Sequence, residues 1–167
     1  MGYRLSFKNY VRGMSLEKAE YIIHQISSHE LELYSDLFTP HYNEVAKNKE
    51  VMVLAPDYAK YHTMQKAGLL LILGVYHGYD LVGYSLNFVT TNLHYSGLLV
   101  CQNDLLFLLP EHRASTAGLR LMAATEKAAV EHGCKLMLWH AKEGSPLDTI
   151  LHRRKYPVQD IIYSKQL

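Results

Sequence analysis

The sequence is poor in the features that mark specialised chains. Cysteine occurs twice, as Cys101 and Cys134, too few for a disulfide framework. Both stand in strand-like apolar surroundings, where a free thiol acts as a small hydrophobe. Charge of one sign is not in excess either: 17 basic residues face 16 acidic ones, for a net +1. Bulk electrostatics therefore gives no footprint for a polyanion, and nucleic acid is not indicated as a partner. The longest apolar stretch, Ala67–Tyr76, is about half of what a bilayer span needs, so no membrane partner is expected. Met1–Tyr10 is mixed and polar, unlike a secretory leader. No repeat, low-complexity segment or Gly/Ser linker interrupts the chain. Histidines 24, 29, 41, 62 and 77 lack the spacing to carboxylates or thiolates that a metal site uses, so no metal is expected. The expectation is one cytoplasmic domain over residues 1–167.

What is present is an ordinary core-forming composition, 49% apolar and 20% charged. A first strand is expected over Tyr3–Tyr10. A helix should open at Ser15 and carry Ala19, Ile22, Ile23 and Ile26 at helical spacing. Between Asp36 and Lys66, Pro40 and Pro56 each suit a helix start, with Asp57 as a first-turn charge. Leu69–Tyr76 and Leu81–Val89, split at His77–Gly78, read as a hairpin. Asn92–Gly97 is the next turn and Leu98–Leu109 a third strand, ended by Pro110. A helix then carries Ala117, Leu121, Ala124 and Ala128 on one stripe and Arg120, Lys127 and Glu131 on a polar one, with Gly133 as its stop. Leu136–Trp139 is a strand, Ser145–Pro146 opens a short helix with Asp148 in its first turn, and Val158–Tyr163 is a closing strand. Helices, a meander and strand–helix–strand units make an α/β chain with a mixed sheet and helices on both faces.

The informative segment runs from Asp104 to Met122: a strand, a loop holding Arg113, small residues and Gly118, then a helix. Unpaired N–H groups and the dipole at a helix start favour an anion, and small residues let a phosphate approach the backbone. The same spacing also suits a plain strand-to-helix loop.

This segment resembles the acetyl-CoA motif of the GNAT superfamily of N-acetyltransferases, Arg/Gln-x-x-Gly-x-Gly/Ala, with Arg113 first, Gly118 last and Thr116 in place of the usual first glycine. The upstream Leu109-Pro-Glu-His-Arg113 and the downstream strand, short helix and Tyr156-Pro-Val158 extend the likeness over nearly the whole chain. Asn48-Lys49 leading to Asp57-Tyr58, Asn92-Leu93-His94-Tyr95 and Tyr163-Ser164-Lys165 resemble phage-encoded members, which implies a host cytoplasm. The resemblance implies a mostly antiparallel sheet with two splayed parallel strands, carrying Phe107 and Met137, and acetyl-CoA as cosubstrate. Phe107, Leu108 and Leu109 would pair with the pantetheine arm. The amides of Ala114, Ser115, Thr116, Ala117, Gly118 and Leu119 would hold the pyrophosphate, with Arg113 adding charge or shaping the loop. If position 116 needs positive φ, threonine is strained there.

Acetyl transfer to an amine calls for a general base. Asp104 occupies the place where relatives carry a carboxylate base; in its apolar strand it reads either as a buried carboxylate with a raised pKa or as a strand-end Asp that is exposed or hydrogen-bonded for structural reasons. His140, ending the next strand, is the second candidate. His94 and Tyr95 are placed to line the acceptor side. The tyrosine that relatives use as leaving-group acid is replaced by Leu151, leaving Tyr163 or His152 as substitutes. The basic run His152–Lys155 suits a solvated helix end. The amine acceptor, whether small molecule, protein or modified nucleobase, is not specified by these motifs. An inactive CoA-binding or protein-interaction module is the alternative, and the apolar residues of the first helices suit a homodimer.

Overall fold

A computed structural model describes residues 20–166. Five strands lie in the order β1 (Tyr21–Gln25), β2 (Leu70–His77), β3 (Asp80–Thr91), β4 (Leu99–Leu108) and β5 (Leu136–Leu138). The first four are antiparallel neighbours, and β4–β5 is parallel. Helices α1 (Ser28–Leu33), α2 (Phe38–Val45) and α3 (Tyr58–Lys66) precede β2, α4 (Ala117–Glu131) joins β4 to β5, and α5 (Pro146–Arg153) follows.

The sheet is covered on both faces, as its apolar runs require. Leu31, Phe38, Leu70, Ile72, Tyr84, Leu86 and Phe107 form the core beneath α1 and α2. Leu71, Leu73, Val75, Val89, Cys101 and Leu108 form the other, against Ala117, Leu121 and Ala129 of α4. Both cysteines are free and buried there; burial pushes Cys101 up to about 12, so neither thiol is reactive at neutral pH.

Several expectations hold in detail. The meander, the Asn92–Gly97 turn and the end of β4 before Pro110 lie where the apolar runs put them. Ser145 caps α5, accepting from the Asp148 N–H. Gly133 takes φ +91 just past α4, the left-handed conformation that a helix stop uses. Lys127 and Glu131 pair along the polar stripe of α4. Trp139, just past β5, is half-buried, its indole N–H donating to Glu126.

Other expectations are corrected. The Tyr3–Tyr10 strand and the Ser15 helix start fall outside the described residues, but Ile22 and Ile23 lie in strand β1, paired with Tyr76 and Val75. Isoleucines at helical spacing are also good strand formers, and an available edge of β2 decides the matter. Pro40 is the third residue of α2, where a missing N–H still costs nothing. Pro56 lies outside α3, and Asp57 is its N-cap, accepting from the Lys60 N–H at 3.0 Å. Val158–Tyr163 forms no strand; Val158, Ile161, Ile162 and Tyr163 are exposed.

Candidate functional site

The centre of the site is an irregularity in β4. Leu86 pairs with Leu105 but Asn87 with Asn103, so Asp104 is an extra residue opposite no partner, a β-bulge. The bulge inverts the alternation of the strand: Cys101 faces the α4 core, but beyond Asp104 it is Leu106 and Leu108 that do so, while Leu105 and Phe107 face the other way. Asp104 and Leu105 therefore both lean toward the helices α1–α3.

Near the same point β4 and β5 part. They pair only through Val100–Leu136, Cys101–Met137 and Gln102–Leu138. From Asn103 to Leu108 the outer edge of β4 has no strand beside it among the described residues, which is the splay expected between the strands holding Phe107 and Met137. Gly83 supports this stretch from the inner side. A Cβ there would meet the Phe107 carbonyl oxygen at 2.6 Å, so only glycine lets β3 approach this closely.

Of the two readings of Asp104, the structure gives the exposed one. Its carboxyl is nevertheless raised above its usual range by desolvation from the groups around it, an effect that the nearby His140 opposes. Asp104 also acts on Tyr61 of α3 and on Tyr84; both phenols are raised, first by burial and then by neighbouring groups that include this carboxylate. The structure thus brings Asp104 and His140 together, with Tyr61 close by. His140 is exposed just past β5. His94 lines a shallow hollow of about 290 Å³ with Gln102, Leu136, Leu138 and Gln159; Tyr95 is largely exposed.

The loop from β4 to α4 is a short 3₁₀ turn, Pro110–His112, followed by exposed Arg113–Thr116. Thr116 caps α4 with φ −81, so the threonine is unstrained. Ser115 accepts from the Ala117 N–H at 3.1 Å. The N–H groups of Ala114, Thr116, Gly118 and Leu119 have no partner among the described residues. This leaves an exposed, donor-rich helix start. Arg113 is already engaged: Nε donates to the Leu108 carbonyl at 2.7 Å, and the two terminal nitrogens fork onto Glu44 of α2 at 2.9 and 2.6 Å. Its role here is to shape the loop and tie it to α2.

Sequence reasoning missed Glu44, His41 and Tyr61. His41 of α2 is buried, stacks on Phe107 with ring centroids 4.8 Å apart, and hydrogen-bonds to the Tyr84 hydroxyl at 2.7 Å. Nothing in the local sequence marks these partners, because each contact joins residues far apart in the chain: His41 of α2 to β3 and β4, Glu44 of α2 to the loop after β4, and Tyr61 of α3 to Asp104. Neither substitute for the absent α5 tyrosine shows a contact with Asp104 or His140 among the described residues. His152 pairs with Asp148 on the same helix at 3.3 Å, and Tyr163 is 89% exposed in the tail.

No protein-family model matches the sequence, and no curated protein does. Solved structures do match in fold. An aminoglycoside acetyltransferase from an uncultured soil metagenomic sample superposes with TM-score 0.72 at 12% identity, covering 89% of this chain and 99% of that one. The ribosomal-protein-alanine N-acetyltransferase of Brucella melitensis biovar Abortus gives 0.68 at 14%, over 88% and 99%. An aminoglycoside N-acetyltransferase solved with CoA gives 0.66 at 15%, over 92% and 100%. At such identities the likeness shows the fold, a mixed sheet with a splayed parallel pair and helices on both faces, as in these acetyltransferases.

Proposed function

We propose that this chain is an acetyl-CoA-dependent N-acetyltransferase of the GNAT type whose acceptor is an amine. The observation that carries the reading is continuous along one path: the edge of β4 from Asn103 to Leu108, which has no strand beside it among the described residues and whose Leu108 carbonyl is taken by Arg113, runs straight into a helix start where four amides have no partner among those residues. The residues fit the cosubstrate. A peptide-like pantetheine arm would add to the open edge at Phe107–Leu109 as a strand does. The pyrophosphate would lie on the amides of Ala114–Leu119. When bound, acetyl-CoA supplies an activated acetyl thioester with a good leaving group.

Asp104 serves as general base, taking the proton of the attacking amine; a carboxyl raised by desolvation is better matched to that task than an ordinary one. His140 stands beside it and holds or relays a proton at the same mouth. The acceptor enters between Asp104, Tyr61 and the α1–α3 face. Neighbours in fold act, by name, on aminoglycosides and on a ribosomal protein alanine, which supports an amine without choosing among small molecules, proteins or a modified nucleobase. Among the described residues no helix is long and apolar enough to cross a membrane. The phage-type motifs support action in a host cytoplasm.

Isothermal titration with acetyl-CoA and CoA tests the reading, with Gly118→Val as control. A Cβ at Gly118 meets only Leu108 Cδ2, at 3.8 Å, so the fold tolerates a side chain there. Binding near the micromolar range that weakens at least roughly tenfold in the variant is the expected result. An unbound wild type would leave the chain a GNAT-like scaffold for a protein partner.

A further inference from the structure

Beneath Asp104, on the α4 side of the sheet, runs a buried row of polar side chains that the chemistry above does not use. Ser85, Asn87 and Asn103 are at most 1% exposed. Leu71, Asn87 and Asn103 stand side by side in register across β2, β3 and β4. Asn87 Nδ2 donates to the Leu71 carbonyl at 3.1 Å and to Ser85 Oγ at 3.0 Å. Asn103 Nδ2 donates to Asn87 Oδ1 at 2.9 Å and to the carbonyl of Leu105 at 3.0 Å. That last bond spans the bulge, gripping the backbone on the far side of Asp104.

The apolar pattern alone demands a bulge but does not place it. Cys101 and Leu106 both face α4, so one extra residue must lie between them, and several positions would satisfy that parity. Buried amides contribute little net stability, and apolar side chains of the same shape would pack as well. What a satisfied network contributes is a unique arrangement, and no described buried side-chain polar atom lacks a partner.

We propose that Asn103, held by Asn87 and Ser85, is a positioning residue that fixes the extra residue of β4 at Asp104 and so aims the Asp104 carboxylate at the acceptor side. The functional half of this inference rests on the reading of Asp104 as base; the structural half does not.

The test uses Asn103→Leu and, should the single variant fold poorly, the triple variant Ser85→Ala/Asn87→Leu/Asn103→Leu, in which no side chain of the polar row is left orphaned. Cross-strand NMR contacts read the register: the wild type should connect Leu86 with Leu105 and Asn87 with Asn103. In the variants these contacts should give way to a mixture that includes Leu86 with Asp104. With the best amine acceptor, KM for acetyl-CoA should stay within about threefold while kcat falls roughly 10- to 100-fold, and the acid limb of the pH profile should move. An unchanged register, or an altered register with unchanged kcat and pH profile, would overturn the proposal. If the wild type acetylates no amine, the functional reading falls, and the cross-strand contacts still decide whether Asn103 sets the bulge.

Discussion

Asp104 occupies a position that a folded protein would not choose for stability. Its carboxyl is raised because surrounding groups strip water from the charged form, with only partial compensation from His140. The sign of the linkage follows. A group that binds its proton more tightly when folded contributes stability below its ordinary value of 3.8, and that contribution is lost as pH rises through the raised value. Asp104→Asn should therefore melt higher than the wild type at pH 7, and the gap should narrow in acid. If Asp104 is the base, the same substitution should cut turnover by about 10²- to 10⁴-fold with CoA affinity nearly unchanged. Melting curves at pH 7 and pH 3.5, with steady-state rates, check both halves. A less stable variant with full activity would return Asp104 to an ordinary surface role. Thr116 shows the converse case, a residue that looks strained by motif and is relaxed in the fold, at φ −81.

Among the elements, the clearest division is between segments that carry their own signal and segments defined by a partner. The β2–β3–β4 meander was legible because its apolar runs are bounded by Gly78, Gly97 and Pro110, and α5 because Ser145–Pro146 is a start signal by itself. β1 was not, since Ile22 and Ile23 satisfy either period until β2 offers an edge. Val158–Tyr163 has strand composition but pairs with nothing in the structure, and propensity without a partner makes no strand. The site divides the same way. The loop Arg113–Gly118 was readable, whereas the Arg113–Glu44 fork spans 69 residues and leaves no local trace. The three consecutive polar residues Gln102-Asn103-Asp104 inside an apolar strand were the available sign of a bulge. The α1–α3 pairing is likewise invisible locally, resting on Gln65, which accepts from the Ser28 N–H at 2.7 Å and donates to the Ile26 carbonyl at 3.0 Å. Gln65→Ala should cost roughly 1–3 kcal/mol in urea unfolding, because it strands two part-buried backbone groups. A loss below about 0.5 kcal/mol, the range of neutral surface changes, would mean that water replaces the side chain.

At the scale of the whole molecule, α2 couples the loop to the core. Glu44 holds Arg113, and one turn earlier His41 is sandwiched against Phe107 and bonded to Tyr84, which is itself fully buried. Lys142 donates to the Val45 carbonyl at the end of the same helix. Burial lowers His41 from 6.5 to about 4; Glu44 opposes the shift, and Arg113 and Lys142 add to it. The folded state thus binds this proton less tightly than the unfolded chain. The corresponding stability is present above pH 6.5 and is lost as pH falls toward 4, and the drop in pKa sets its size at roughly 3 kcal/mol. Urea unfolding of the wild type at several pH values across that window should show this decline. His41→Gln retains a hydrogen-bonding group opposite Tyr84 but cannot titrate, so it should start less stable and lose less on acidification. An equally steep decline in the variant would place the acid sensitivity elsewhere. Because the helix that carries His41 also braces Arg113, acetyl-CoA affinity should fall in the same window for the wild type and hold better in His41→Gln.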